Sequence, residues 1–465
     1  MSTSMKSPST VLARTLLAAG LWGWLSTALA WSDHPLCTWS ALEGMPEIAD
    51  RAVLAEPFDR FLQSEAAALP KVLAQEEAWA RQQLPHYAPR PDALAFQGAA
   101  PTPQPIPQQL RLSFLRALRV NEHAKLSLYL QRHPGAAVAA VAAERRMDWR
   151  DITTLSSGSG AKENRYERIQ PDEPVPVLEV LATASNEPDY GLDLGLWSDN
   201  GTAQGQAAGF GPQPFGNPRF DYSGQAPFHM GFYHEAAIVY AAAPFLQRTY
   251  PEARIHMALT LARHAFASGH PYWGWRFTGW AIHYVQDLGQ PYHARVLPGL
   301  GVGRMLWINA QDLLGRHQAK LDAVNLVANR HTVLENFQFR HMALAYEQGR
   351  MDDPLLQALR DARQDRSHWR LTPPSPSEPG SLRDIVSADA AALADALDAQ
   401  LARSLPARYT SDPATVLPES DQLDMALEAQ RYAPAEYARL MTQLQVLMQH
   451  VGRDTRAVVR AALQQ

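Results

Sequence analysis

The chain has 465 residues, 46% of them hydrophobic and 19% charged, which places it with ordinary globular proteins and excludes disorder. A formal net charge of −5, with both signs mixed along the sequence, speaks against a polyanion-binding surface and a stable nucleic-acid partner. A single cysteine, Cys37, excludes an intrachain disulfide and an all-cysteine metal site, which leaves nitrogen and oxygen donors for any metal.

In chain order, Lys6 and Arg14 precede a short apolar stretch, Thr15 to Thr27. Ala28-Leu29-Ala30 then has the small-x-small form of a signal-peptidase site. The expectation is a signal peptide at 1–30, a mature chain opening on Trp31, and a secreted or periplasmic destination. Strand signals are scarce and helical periodicity recurs over Pro46–Gln63, Gln108–Arg132, His234–Leu246, Glu252–Ser268, Tyr272–Leu288, Arg304–Gln348 and Glu436–Leu463, so the fold reads as all-α. Proline-rich stretches at Pro85–Pro107 and Thr372–Pro379 read as extended connectors. The segment 85–176 reads as an insertion into one helical domain spanning 31–465. Asp199–Pro227, rich in Gly, Pro and Asn, reads as a long loop.

Ten of the sixteen histidines fall between His229 and His341. The sharpest run is HYVQDLGQPYHA, residues 283–294. On a helix His283 and Asp287 share one face, and Gly289 and Pro291 then end that helix and free His293 to turn back. His331 and Glu335 form a second pair at the same spacing. Imidazole and carboxylate on a common face are the donors zinc prefers, and two pairs plus a terminating histidine exceed the needs of one structural site. His256, His264, His270, His317 and His341 have no acid at ligand spacing and read as packing or solvated residues.

These residues resemble the zinc-dependent phospholipase C family, whose motif pairs a His-x-x-x-Asp-x-x-x-x-x-His segment with a later His-x-x-x-Glu. The resemblance implies a multi-helix bundle holding three zinc ions. Asp189, one of His229 and His234, His283 and Asp287 would hold the first. His293, His331 and Glu335 would hold the second, and Trp31, His34 and Asp287 the third, with Asp287 bridging. Asp193 and Asp221 compete with Asp189 for the upstream aspartate; His229 sits in an expected loop and His234 at the start of an expected helix. The implied activity is phosphodiester hydrolysis of phospholipid head groups by a metal-activated hydroxide, with Asp189 as general base and transient contact with a membrane surface. The aromatic loop Phe210–Phe232 is the expected seat for the apolar part of such a substrate. Two other readings remain open. Single-strand-specific zinc nucleases are similar but end on His-x-x-x-Asp, and a non-catalytic protein could use the metals only to tie its helices.

Overall fold

The computed structural model describes residues 34–98, 107–136, 141–158, 160–218, 220–365, 382–415, 417 and 422–464. The expected signal peptide and Trp31 lie outside these residues. The chain is 63% helix and 4% strand, so the all-α expectation holds.

The centre of the fold is a helical hairpin, α7 (Pro251–Ala267) and α8 (Pro271–Leu288), after the shorter helices α1 (His34–Leu42), α2 (Phe58–Glu65), α3 (Leu69–Gln83), α4 (Pro107–Leu118), α5 (Val177–Ala184) and α6 (Asp221–His229). Proline opens both hairpin helices, where the missing N–H costs nothing. Every residue of α8 from Tyr272 to Leu288 is buried. Trp273, Phe277, Trp280, Ile282 and Val285 cover the greater part of the α8 surface with apolar side chains, and its remaining face, carrying Arg276, His283, Gln286 and Asp287, is buried against polar partners, so the helix is enclosed on all sides. Beyond it come α9 (Pro291–Ala294), α10 (Val302–Leu313), α11 (Gln318–Glu347), α12 (Pro354–Arg360), α13 (Ala388–Ser404) and α14 (Pro434–Leu463).

Two apolar cores share α14. Its distal residues Val458 and Val459 enter the core around α7 and α8, while Leu444, Leu447 and Met448 enter a second core with α1, α11 and α12. At Gly452 the backbones touch, and a Cβ there would meet the Leu359 carbonyl oxygen at 2.0 Å.

The periodicities of α7, α8 and α14 are realised within one or two residues of expectation. Others break. The 304–348 stretch is two helices parted at Gly315, whose φ of +77° an L side chain rarely adopts. In 108–132 the helix ends at Leu118 and the chain re-emerges as strand β2 (Tyr129–Gln131). With β3 (Arg146–Met147) and β4 (Tyr166–Arg168) it forms a small antiparallel sheet in the order β2-β4-β3. In 46–63 a strand, β1 (Ala52–Leu54), precedes the helix, which Pro57 delays to Phe58; β1 pairs antiparallel with β5 (Pro174–Pro176). The segment 85–176 is thus built into the main body: Phe96, Leu110, Phe114 and Val120 lie in the core around α8.

Candidate metal centre

Five other places in the chain converge on the C-terminal end of α8. His283 and Asp287 project from one face of that helix, their Nε2 and Oδ2 atoms 3.1 Å apart. After Leu288 the helix stops. Gln290 caps α9 by accepting from the Tyr292 N–H, and this new turn carries His293 back, its Nδ1 3.2 Å from Asp287 Oδ1. His229 is the last residue of α6 and brings Nδ1 to 2.8 Å from Asp287 Oδ2 and 3.0 Å from His283 Nε2. Asp189 sits in the single turn Pro188–Tyr190, where Gly191 at φ +97° reverses the chain; a Cβ on that glycine would meet Thr154 Oγ1 at 2.2 Å. Its carboxylate lies 3.7 Å from each of His34, His229 and His283.

His34 opens α1 and turns Nε2 towards Asp189 at 3.7 Å and Asp287 at 3.6 Å. From α11, His331 and Glu335 face each other at 2.6 Å, and His331 Nε2 is 3.1 Å from His293 Nε2. Among the described residues three buried groups result, each able to hold a metal ion: His34–Asp189–His283, His229–His283–Asp287 and His293–His331–Glu335. Two ligands each ~2.0–2.1 Å from a tetrahedral zinc stand about 3.4 Å apart. The observed donor separations straddle that value.

The outer partners fix which nitrogen points inward. His283 donates from Nδ1 to the Ser185 carbonyl at 2.8 Å, and His34 from Nδ1 to Gln286 Oε1 at 2.9 Å, so each presents Nε2 to the cluster. His229 is reversed. Its Nε2 faces Asp193 Oδ2 at 3.3 Å, and Asp193 is itself held by Tyr284 at 2.7 Å and Arg254 at 2.6 Å. Gln290 donates to Glu335 at 3.1 Å.

The electrostatics ask for a cation. Asp189, Asp193, Asp287 and Glu335 are all buried, and Arg254 alone among these contacts brings a permanent positive charge. Both oxygens of Asp189, Oδ1 of Asp287 and Oε2 of Glu335 accept no hydrogen bond. Buried carboxylate oxygens without donors are costly unless a metal fills the gap. Burial, with Asp287 and Glu335 nearby, pushes the Asp189 carboxyl well up against the pull of His229. Burial works the same way on Asp287, but His283, His293 and His229 overcome it and hold that carboxyl well below the usual range. Burial holds the rings of His34 and His283 down, in the neutral form a metal needs. Burial also opposes a charged His229, yet Asp287, Asp193 and Asp189 together push it up to about 10, so a metal arriving there would displace a proton.

Of the expected ligands, the structure brings together His34, Asp189, His229, His283, Asp287, His293, His331 and Glu335. His234 stands apart, donating from Nε2 to the Arg383 carbonyl at 2.9 Å, because the chain leaves α6 in extended form after His229. Asp193 buttresses a histidine, and half-buried Asp221 accepts from the Ser156 backbone and hydroxyl. Asp189 groups with His34 as closely as with His229, which spreads it over two of the expected metal positions. The residues that sequence reasoning missed are Ser185, Gln286 and Gln290. Gln286 was visible as an amide beside Asp287 at the helix end, and Gln290 as one just past the stop at Gly289.

Beside the clusters opens an apolar cavity of about 280 Å³. His229, His293 and His331 form part of its wall, and Met230, Phe232, Leu246, Val296, Met305 and Ile308 are among its apolar lining. From the aromatic loop, Phe215 and Phe232 reach this cavity, whereas Phe210 and Phe228 are spent in a separate small core with Trp197 and Tyr250.

No family model, no curated protein and no solved structure matches this chain.

Proposed function

We propose that the protein is a zinc-dependent phosphodiesterase of the phospholipase C type, acting on a phospholipid to leave diacylglycerol and a phosphorylated head group. The observation that carries the reading is the position of the apolar cavity, whose wall is shared with three of the candidate ligands. An apolar chamber suits glycerol and the first methylenes of acyl chains, whereas a nucleic-acid strand would call for cations and stacking surfaces along a groove.

The donor set of nitrogen and oxygen atoms, with orphaned carboxylate oxygens among imidazoles of which His34 and His283 are held neutral, fits zinc. His229, His283 and Asp287, His293, His331 and Glu335, and His34 with Asp189 or Asp287 would hold the ions. When bound, zinc supplies Lewis acidity towards phosphoryl oxygens and brings the pKa of water to near 7. Asp189 is the chain's own base: its carboxylate is buried and neither oxygen accepts a hydrogen bond, so it is placed to take a proton from the attacking water and return it to the departing glycerol oxygen. Asp287 presents one oxygen to His229 and His283 and the other to His293, and so sets the spacing of the two sides. Gln290 and Ser185 keep Glu335 and His283 from rotating away. Among the described residues no helix is long and apolar enough to cross a membrane, so lipid would be met from the water side.

The test is a paired assay of phosphatidylcholine vesicles and single-stranded DNA, with metal content read by atomic spectroscopy. Release of phosphocholine by zinc-loaded protein, abolished by a chelator, is the expected result. Cleavage of DNA without lipid turnover would transfer the reading to a nuclease, and stoichiometric zinc with neither activity would make the metals structural.

A further inference from the structure

Helix α10, Val302–Leu313, is apolar on two faces. Its inner residues Met305 and Ile308 are buried and line the cavity beside the metal clusters. On its outer side Trp307, Leu313 and the following Leu314 stand 44%, 63% and 71% exposed. Arg304 lies over the Trp307 ring at 4.1 Å, and Arg304, Trp307, Gln311 and Leu314 follow one another along a single helical face. The short helix Ala237–Ala242, which contacts α10, repeats the pattern: Val239 turns into the cavity while Ile238 is 53% exposed. A lone exposed leucine needs no explanation, but here large apolar side chains point outward from two neighbouring elements whose other faces line the same chamber.

Charge points the same way. The one acid of α10, Asp312, is matched by Lys320 and His317 at 2.6 Å each. Exposed Arg304 and Arg316 therefore leave this rim with a positive excess. Tryptophan, leucine and arginine on the outer side of a short helix are the composition of an element that lies in a membrane interface, apolar tips among the acyl chains and cations at the head groups.

We propose that α10 with Ile238 is the surface by which this protein seats itself on a bilayer containing anionic lipid, with the mouth of the cavity held against the leaflet. A lipid then passes from bilayer to metal centre along apolar side chains. The proposal rests on the lipid reading above for its use, and its test is independent of turnover. The full mature chain, zinc-loaded, is sedimented with vesicles of phosphatidylcholine and phosphatidylglycerol. The expected result is binding that weakens about tenfold or more in the doubly substituted Leu313→Ser, Leu314→Ser protein, and binding that loses its salt dependence in Arg304→Ala, Arg316→Ala. All four side chains are exposed, so the fold should survive, and turnover of dihexanoyl phosphatidylcholine below its micellar concentration should stay at the wild-type rate.

Equal vesicle binding by wild type and both variants, or none by wild type, overturns the proposal. So does a dimer in sedimentation equilibrium that the leucine variant dissolves while vesicle binding stands, since a second copy would then own the surface. Binding that depends on α10 without any release of phosphocholine would keep the docking surface and remove the lipase reading; release of phosphocholine with unaltered binding would do the reverse.

Discussion

Histidine meets carboxylate in two regions of this molecule, with opposite outcomes. Around α7 and the start of α8, His264 pairs with Glu65 at 2.7 Å and His270 with Glu56 at 2.8 Å, while His256 pairs with Glu76; farther on, His341 pairs with Asp353 at 2.9 Å. Each of these acids is occupied by near neighbours: Glu65 faces His270 as well at 3.4 Å, Glu76 accepts from Thr260 at 3.2 Å, and Asp353 meets Arg350 at 3.2 Å. At the far end of α8 the same residue types converge instead, so that Asp287 faces His34, His229, His283 and His293 at once while carboxylate oxygens nearby keep lone pairs to spare. Convergence with unfilled acceptors, and not the presence of histidine and acid, separates a place for an ion from a rivet between helices.

The sharpest way to break the comparison is Asp287→Asn, which keeps the shape and removes the charge. We expect loss of bound metal and a fall in hydrolysis larger than the roughly 10–100-fold typical of outer partners; full metal content by atomic spectroscopy would put Asp287 with the rivets. Glu335→Gln comes next, with one metal equivalent lost and the others retained. Gln286→Ala touches no expected ion but frees the His34 ring, and should weaken metal affinity by about 10–100-fold in a competition titration with a chromogenic chelator.

His133 sharpens the contrast from a third side, since it packs on aromatic rings, 4.2 Å from Tyr346 and 4.9 Å from Trp39. Burial lowers its pKa from 6.5 to about 4. Between those values the unfolded chain binds a proton that the fold refuses, so stability falls as pH drops from about 6.5 towards 4. With the half-exposed ring screened by solvent, the loss should be about 1–2 kcal/mol, and urea unfolding of His133→Leu should show a correspondingly flatter pH profile. The smallest effect belongs to a rivet: His264→Gln should cost about 1 kcal/mol in unfolding and leave metal content unchanged.

How much of this was legible beforehand differs residue by residue. The helix bearing His283 and Asp287, and its stop at Gly289, could be read because period and punctuation coincide there. His229 against His234, and Asp189 against Asp193, could not. Each pair lies within one short irregular stretch, and the choice turns on backbone direction: the end of α6 in one case, the left-handed turn at Gly191 in the other. The rivets read as solvated or packing histidines because Glu56, Glu65 and Glu76 lie far away in sequence and Asp353 lies 12 residues past His341, outside helical ligand spacing. Helix α10 was read as part of one long helix, and neither its break at Gly315 nor its outward apolar face followed from periodicity.

Gln286 has a further consequence. Its amide donates to Thr38 at 3.1 Å and to Thr455 at 3.0 Å while its carbonyl oxygen accepts from His34, so α1 and α14 are both clasped through one side chain of α8. On the ribosome, Thr455 emerges long after His34. The nascent chain therefore cannot complete the clasp until α14 has left the exit tunnel, and the hold of Gln286 on His34 gains its full set of partners only then.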